Sequence, residues 1–398
     1  MSGAFGRRQN WSAGSGDNRL AINQLQQQET VDEAAVNRFL AEHEVPIVEG
    51  RHVTFLFRGE ADEVHLVQRI LGLPSRLVMR RVPGTTLWFI VLKVPAGSRI
   101  NYQIEVRRGD NFERFNDSLN PKLSHSPFGA SSVCFAYGYT TPEWTFPDPS
   151  AAPGELTDLL VESRVLERDC PVTIYLPAGF SRTKSYSLLV VHDGGDFLQY
   201  AAAKVVLDNL IHRREIAQTI VAFLHPKDRL VEYANSPQHA HFLKQELLPQ
   251  LEGEFPLKRD RSSRVLLGAS FGAVAALSAA YRAPRTYGSL VLMSGSFVFA
   301  DPGSDHGGGP VFDPVVKFVN RYRERPRRVA DRLFASCGLY EPLIIPNRSI
   351  VPAFESAGMR VRYVEALDGH TWENWRDRLR DALSWVYPGP ASARLREA

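Results

Sequence analysis

The segment Arg264-Val265-Leu266-Leu267-Gly268-Ala269-Ser270-Phe271-Gly272-Ala273-Val274-Ala275-Ala276-Leu277 limits the possible folds of this chain more than any other. A β-branched and leucine run enters a Gly-x-Ser-x-Gly core, and small residues of helical length follow. A strand that turns at once into a helix leaves no room for side chains beside the bend, which accounts for the small residues at 268, 269 and 272. The serine at the apex is lifted above the sheet edge, and the helix it opens aims free amides and its positive end at the same point. This is the pattern of a nucleophile elbow; the plainer alternative is a serine capping an ordinary α/β helix.

The rest of the chain supplies the sheet that such a turn needs. Val172–Leu176, Leu188–His192, Thr219–Leu224, Val265–Leu267, Leu290–Met293, Leu333–Cys337 and Val361–Glu365 are strand candidates. Between and after them, Ala201–Arg213, His239–Phe255, Phe271–Tyr281, Val315–Arg323, Arg348–Ala357 and Thr371–Val386 have helical spacing. Buried runs joined by helical crossovers predict a mainly parallel sheet covered on both faces. Upstream the pattern differs. Val53–Phe57, Glu63–Val67, Leu87–Val91 and Tyr102–Val106 are short β-like runs separated by turn signals, as in a small β-sandwich of immunoglobulin-like type. Three prolines between Thr145 and Glu155 mark a linker. Val31–Glu44 reads as a helix behind a Thr30–Glu33 capping box, with residues 1 to about 30 loosely held. The expected organisation is a polar leader and short helix over 1–45, a β-sandwich module over 46–145 and an α/β domain over 155–398.

At 398 residues and 44% hydrophobic, the chain can fill one large core and a smaller one. Lys+Arg 47 against Asp+Glu 44 gives no electrostatic support for nucleic acid or an anionic membrane as a partner. The first 30 residues lack a signal peptide's apolar core and no stretch has transmembrane length, so a soluble, cytoplasmic protein is expected. Cys134, Cys170 and Cys337 are far apart and without metal spacing, consistent with buried thiols in a reducing compartment. Neither cofactor nor metal is implied, and His239 and His241 have no carboxylates at ligand spacing.

A serine hydroxyl needs a base, and the base an orienting acid. In hydrolases of this architecture the chain order is serine, acid, histidine. His370, in Asp368-Gly369-His370-Thr371, lies just past the last strand candidate, where such a sheet presents reactive groups. The other downstream histidine, His306, sits in a glycine-rich loop. Glu341 follows the Leu333–Cys337 strand and is the preferred acid. Asp368 competes, but two residues from His370 it is poorly placed to reach the ring's remote nitrogen, and it reads as an exposed turn residue. The oxyanion donors are expected at the amide of Phe271 and at Gly194 or Gly195, in the loop after Leu188–His192. Arg229, Arg348 and Arg376 are placed to meet an anionic substrate, with surface ion pairing as the plainer alternative. Trp372 and Trp375 either wall an aromatic pocket or anchor helix packing.

With these segments in place the chain resembles the enterochelin esterase family, within the esterase-D-like α/β hydrolases. The resemblance runs from about residue 50 onward. It is carried by Val172–Phe180, His192-Asp193-Gly194-Gly195-Asp196, Arg229–Tyr233, Phe242–Pro249, the Ser270 elbow, Glu341-Pro342 and His370–Arg376, with Asn116–Pro121 and Pro127–Gly129 similar to the end of that family's β-sandwich module. It implies an α/β-hydrolase fold over 155–398 and serine-dependent hydrolysis of a small-molecule carboxylic ester. It places the nucleophile at Ser270, the base at His370 and the acid at Glu341. Two departures stand out: Asp368-Gly369-His370-Thr371 where Gly-Gly-His-Asp is usual, and Ala273 where many relatives have a second glycine. An acyl or feruloyl esterase whose β-module contacts carbohydrate is the same-class alternative. A binding protein on a hydrolase scaffold is the other, and the joint presence of Ser270, Glu341 and His370 argues against it.

Overall fold

The computed structural model describes residues 17–301 and 309–391; His306 lies outside the described residues. By packing, the chain divides into two units. The first runs to Thr140 and also takes in Leu339–Glu341 and Leu367–Gly369; the second comprises Thr141–Gly338, Pro342–Ala366 and the chain from His370.

The first unit is built on two antiparallel sheets. One orders Ile47–Glu49, His52–Arg58, Leu87–Lys93 and Arg80–Arg81 side by side. The other centres on Glu63–Gln68, Arg99–Arg108 and Gly129–Phe135. The two-residue alternation of His52–Arg58 sends Val53, Phe55 and Phe57 into a core shared with Val64, Leu66, Tyr102 and Ile104 of the second sheet. Leu56, with Phe89 and Val91, faces the opposite way, onto the helices Ala21–Gln26 and Glu33–Glu42. For residues 17–30 that second core corrects the expectation of a loosely held leader, since Leu20, Ile22 and Leu25 are buried, while residues 1–16 lie outside the described residues. The helix also begins later than expected. Asp32, not Thr30, caps it by accepting from the Ala35 amide at 2.8 Å, and Glu33 instead accepts from the amide and hydroxyl of Thr86.

Arg99 opens the long strand of this unit and is almost fully buried. Its guanidinium donates to Asp368 at 3.1 Å, with side-chain exposures of 2% and 7%. The Arg99 amide donates to Leu367 O at 2.9 Å, Tyr340 N donates to Asp368 O at 3.0 Å, and the Ser98 and Tyr340 hydroxyls are 2.6 Å apart. Asp368 is therefore a buried ion-pair partner, contrary to its reading as an exposed turn residue. The sequence could not show this, because its partner lies far upstream in the chain.

In the second unit we number the strands β1 (Glu155–Ser163), β2 (Arg168–Leu176), β3 (Ser187–Val191), β4 (Thr219–Leu224), β5 (Arg264–Ala269), β6 (Ser289–Met293), β7 (Arg332–Gly338) and β8 (Arg360–Ala366). They form one sheet in the order β1-β2-β4-β3-β5-β6-β7-β8, antiparallel through β1, β2 and β4 and parallel from there on. This is the strand order of an α/β hydrolase. β3 to β6 are buried throughout their apolar runs because helices cover both faces, and every parallel strand ends at the same edge of the sheet.

One expected helix is broken. The region His239–Phe255 is a short helix (Pro237–His241), a widened π-type turn (Phe242–Leu247) and a second helix (Leu248–Glu254). Pro249 has no amide to continue the ladder and crowds the carbonyl four residues back, so the turn before it opens. The expected Ala201–Arg213 helix is present as Ala203–His212, and a separate helix, Gly194–Tyr200, precedes it across a bend at Ala202 with φ 46°. Gly194 and Gly195 thus start a helix immediately after β3, not a free loop.

Candidate active site

The apex of the β5 turn is Ser270, at φ 55° and ψ −120°, a conformation that costs a non-glycine residue of order 1–3 kcal/mol. The surroundings hold it there. Its amide donates to Met293 O at 2.9 Å, and its carbonyl accepts from Ser296 N at 3.1 Å. The small neighbours are required by contact distances: a Cβ on Gly268 would lie 2.1 Å from Gly272 O, and one on Gly272 would lie 3.1 Å from the His192 Cβ. The helix that follows, Phe271–Arg282, is buried from Phe271 to Ala280, so the elbow cannot shift without disturbing the core.

Ser270 Oγ lies 3.2 Å from Ser296 Oγ, a neighbour that sequence reasoning missed. Ser296 belongs to the loop after β6, and that loop is fixed: Asn347 accepts from Gly295 N and donates to Gly295 O at 2.7 Å, while Trp375 Nε1 donates to Ser294 Oγ at 3.0 Å. The repeated serines of Ser294-Gly295-Ser296 at a strand's carboxyl end were the available signal.

At the end of β3 the bend expected of a glycine is made by Asp193, at φ 55°. Gly194 is needed for a different reason, since a Cβ there would lie 2.4 Å from the Phe223 Cβ. Asp193 tolerates the left-handed conformation and is held in it by Arg229, whose Nε and Nη2 donate to its two carboxylate oxygens at 2.7 and 2.8 Å. The same guanidinium lies 5.9 Å from the centre of the Phe271 ring. Arg229 therefore ties the loop of Gly194 and Gly195 to the elbow.

Beneath the elbow His192 is fully buried. Its Nδ1 faces Leu267 O at 2.9 Å, and its Nε2 lies 3.0 Å from His239 Nε2. A carbonyl can only accept, so His192 donates from Nδ1 and receives the His239 Nε2 proton at Nε2. Burial pushes His192 down to about 4 and His239 well below its ordinary value, so both rings are neutral. Among the described residues no group of side chains has metal-binding geometry, and no helix is long and apolar enough to cross a membrane.

His370 is exposed in the loop after β8, its ring edge-on to Trp375 at 5.0 Å. Glu341 lies three residues past β7 and is 1% exposed. Trp372 packs edge-on against Phe197 and Trp375 and joins the apolar core on that face of the sheet. Arg348 is held by both oxygens of Glu365, and Arg376 by Asp377.

The fold has counterparts among known proteins. The chain is 24% identical over 332 residues to the iron(III) enterobactin esterase of Escherichia coli K12, covering 77% of this chain and 80% of that protein. It is 23% identical to the iron(III) salmochelin esterase of an E. coli O6:H1 strain, over 84% of this chain and 87% of the relative. The crystal structure of the ferric enterobactin esterase of Salmonella typhimurium superposes with a TM-score of 0.69 at 21% identity, covering 84% of this chain and 93% of the other. The family described as "Putative esterase" matches residues 163–386. With more than half of its length so matched, the chain belongs to this esterase family.

Proposed function

We propose that the protein hydrolyses a carboxylic ester through an acyl-enzyme on Ser270. The strained Ser270 turn at the carboxyl edge of the sheet is the observation that carries this reading: a backbone cost of this kind persists where the hydroxyl must stand clear of the sheet. His370 takes the Oγ proton as Oγ attacks the carbonyl carbon, then gives it to the leaving alkoxide as the C–O bond breaks. Water, activated by the same ring, releases the acid and restores the serine. Glu341 is the acid that orients the imidazole, supported by its position after β7 and by the commitment of Asp368 to Arg99. The amide of Phe271, with that of Gly194 or Gly195, takes up the oxyanion charge. The three buried free cysteines are consistent with a cytoplasmic setting. The first unit we read as an immunoglobulin-like sandwich, supported by its two sheets sharing one core. Catecholate trilactones enter as candidate substrates through the names of the relatives.

The test is turnover of a p-nitrophenyl ester series, a feruloyl ester and a catecholate trilactone by the wild type and by Ser270→Ala. The alanine variant should lose roughly three orders of magnitude or more in kcat and should no longer react with a fluorophosphonate. His370→Ala should cost a similar factor, and Glu341→Gln less. Full activity in Glu341→Gln beside an inactive Asp368→Asn would move the acid to Asp368.

A further inference from the structure

We infer that Ser296 is a further catalytic residue: its hydroxyl donates to Ser270 Oγ and speeds release of the acyl group from that oxygen. This deepens the esterase reading above and rests on it. Ser296 meets Ser270 at two points, since its amide donates to the Ser270 carbonyl at 3.1 Å and its Oγ stands 3.2 Å from Ser270 Oγ. The loop is shaped for this. Ser294 takes the left-handed conformation at φ 44°, its amide donating to Ser336 O at 2.7 Å, and the chain then carries Ser296 beside the elbow. With its amide already spent on the Ser270 carbonyl, Ser296 has only its hydroxyl to offer the reacting atom.

Two hydroxyls that face each other share one hydrogen, and the other hydrogen must point elsewhere. Ser296 is 3% exposed, and among the described residues its Oγ meets no acceptor but Ser270 Oγ. Were Ser296 the acceptor, its own hydrogen would be buried without a partner, which is costly. Ser270 is half-buried at the sheet edge, so its hydrogen has an outlet. Ser296 therefore donates and Ser270 Oγ accepts, which leaves the Ser270 proton for His370. The bond counts most when the acyl group leaves. In the acyl-enzyme Oγ is the alkyl oxygen of an ester, a weak acceptor. Water attacks the carbonyl carbon and yields a proton to His370, and the carbonyl electron pair moves onto the oxyanion. As that pair re-forms the C=O bond, the C–Oγ bond breaks, its electrons pass to Oγ, and Oγ takes the proton from His370. Ser296 keeps its own proton throughout. Oγ gains negative charge along this path, and the aimed hydroxyl stabilises it there. In acylation Oγ starts as a hydroxyl, already a good acceptor, so the bond strengthens less. A contact of 3.2 Å, longer than a full hydroxyl–hydroxyl bond, suits a donor that tightens as charge develops.

The experiment resolves the two half-reactions of p-nitrophenyl acetate hydrolysis in the wild type and in Ser296→Ala. Stopped-flow release of p-nitrophenolate with enzyme in excess gives acylation. Acid quench at saturating ester, followed by intact-protein mass spectrometry, gives the acetylated fraction and hence the ratio of acylation to deacylation. In Ser296→Ala deacylation should fall by about tenfold, the effect of one hydrogen bond to a charged oxygen, while acylation changes by less than about threefold. The acetylated fraction should rise accordingly, and a fluorophosphonate should still label the variant fully. Acylation and deacylation falling by the same factor would mark a structural role and overturn the inference, as would lost labelling or deacylation within about twofold of the wild type. A wild type that neither turns over the ester nor reacts with the fluorophosphonate is a different result: it defeats the esterase reading itself, and the inference with it.

Discussion

The His192–His239 pair makes acid stability a quantitative test of the buried chemistry beneath the elbow. Both rings are held neutral, His192 with its proton affinity lowered to about 4 and His239 with its own well below the ordinary value, in each case chiefly by burial. In the unfolded chain each returns to its ordinary value of 6.5. Because the folded value is depressed, the unfolded state binds more protons once the pH falls below about 6.5, and stability is lost as the pH drops toward the folded value. Between about pH 8 and pH 5.5 the unfolded state gains nearly one proton per ring and the folded state almost none. The loss is on the order of 1 kcal/mol per ring and a few kcal/mol for the pair. His225, also lowered by burial, acts in the same direction. Urea unfolding followed by tryptophan fluorescence at these two pH values measures the sum, and His239→Phe isolates one ring. That variant replaces a titrating ring by a non-titrating one of similar shape, so its pH-dependent loss should be smaller than that of the wild type by on the order of 1 kcal/mol, whatever its stability near pH 8. Equal losses in the two proteins would show that His239 is not held neutral, and the tautomer assignment along Leu267, His192 and His239 would fall with it.

Two further outcomes follow from contacts described above. Arg99→Met leaves the Asp368 carboxylate buried without its cation and should cost about 3–5 kcal/mol in urea unfolding, with part recovered in the double variant Arg99→Met/Asp368→Asn; a loss below about 1 kcal/mol would mean that the ion pair is not formed. Gly268→Ala sets a Cβ against backbone at 2.1 Å and should destabilise by about 3 kcal/mol, whereas Gly253→Ala, with nothing within 4 Å, should be neutral or slightly stabilising; similar stabilities for the two variants would refute the contact argument.

The elbow was legible in sequence because its demands are local: Gly268, Ser270 and Gly272 constrain one another within one turn of chain. β3, β5 and β6 were legible for a related reason, since strands covered on both faces must be apolar throughout. β1 was not. Leu156 and Leu160 are exposed on an edge strand whose charged neighbours mimic a loop. The left-handed turn at Asp193 escaped because its cause is Arg229, on another loop, and the spacing of the glycines pointed to the wrong residue. Ser296 and the buried state of Asp368 escaped likewise, through partners distant in the chain. Pro249, by contrast, was in plain view, and the broken helix before it follows from the missing amide alone.

The inclusion of Leu339–Glu341 and Leu367–Gly369 in the first unit has a consequence for how the protein is made. Tyr340 belongs to the apolar core that Phe55, Tyr102 and Ile104 form, and Asp368 neutralises Arg99 at the base of the same strand. A ribosome that has released the chain as far as Thr140 has therefore not yet released everything this unit needs, and the missing pieces follow roughly 200 residues later. At about 5–20 residues per second the nascent unit waits roughly 10–40 s with Arg99 lacking its partner. Its final packing is therefore a late event in synthesis, coupled to emergence of the segments that flank the histidine loop, and the amino-terminal part of the chain is the part most in need of protection from premature association while the rest is translated.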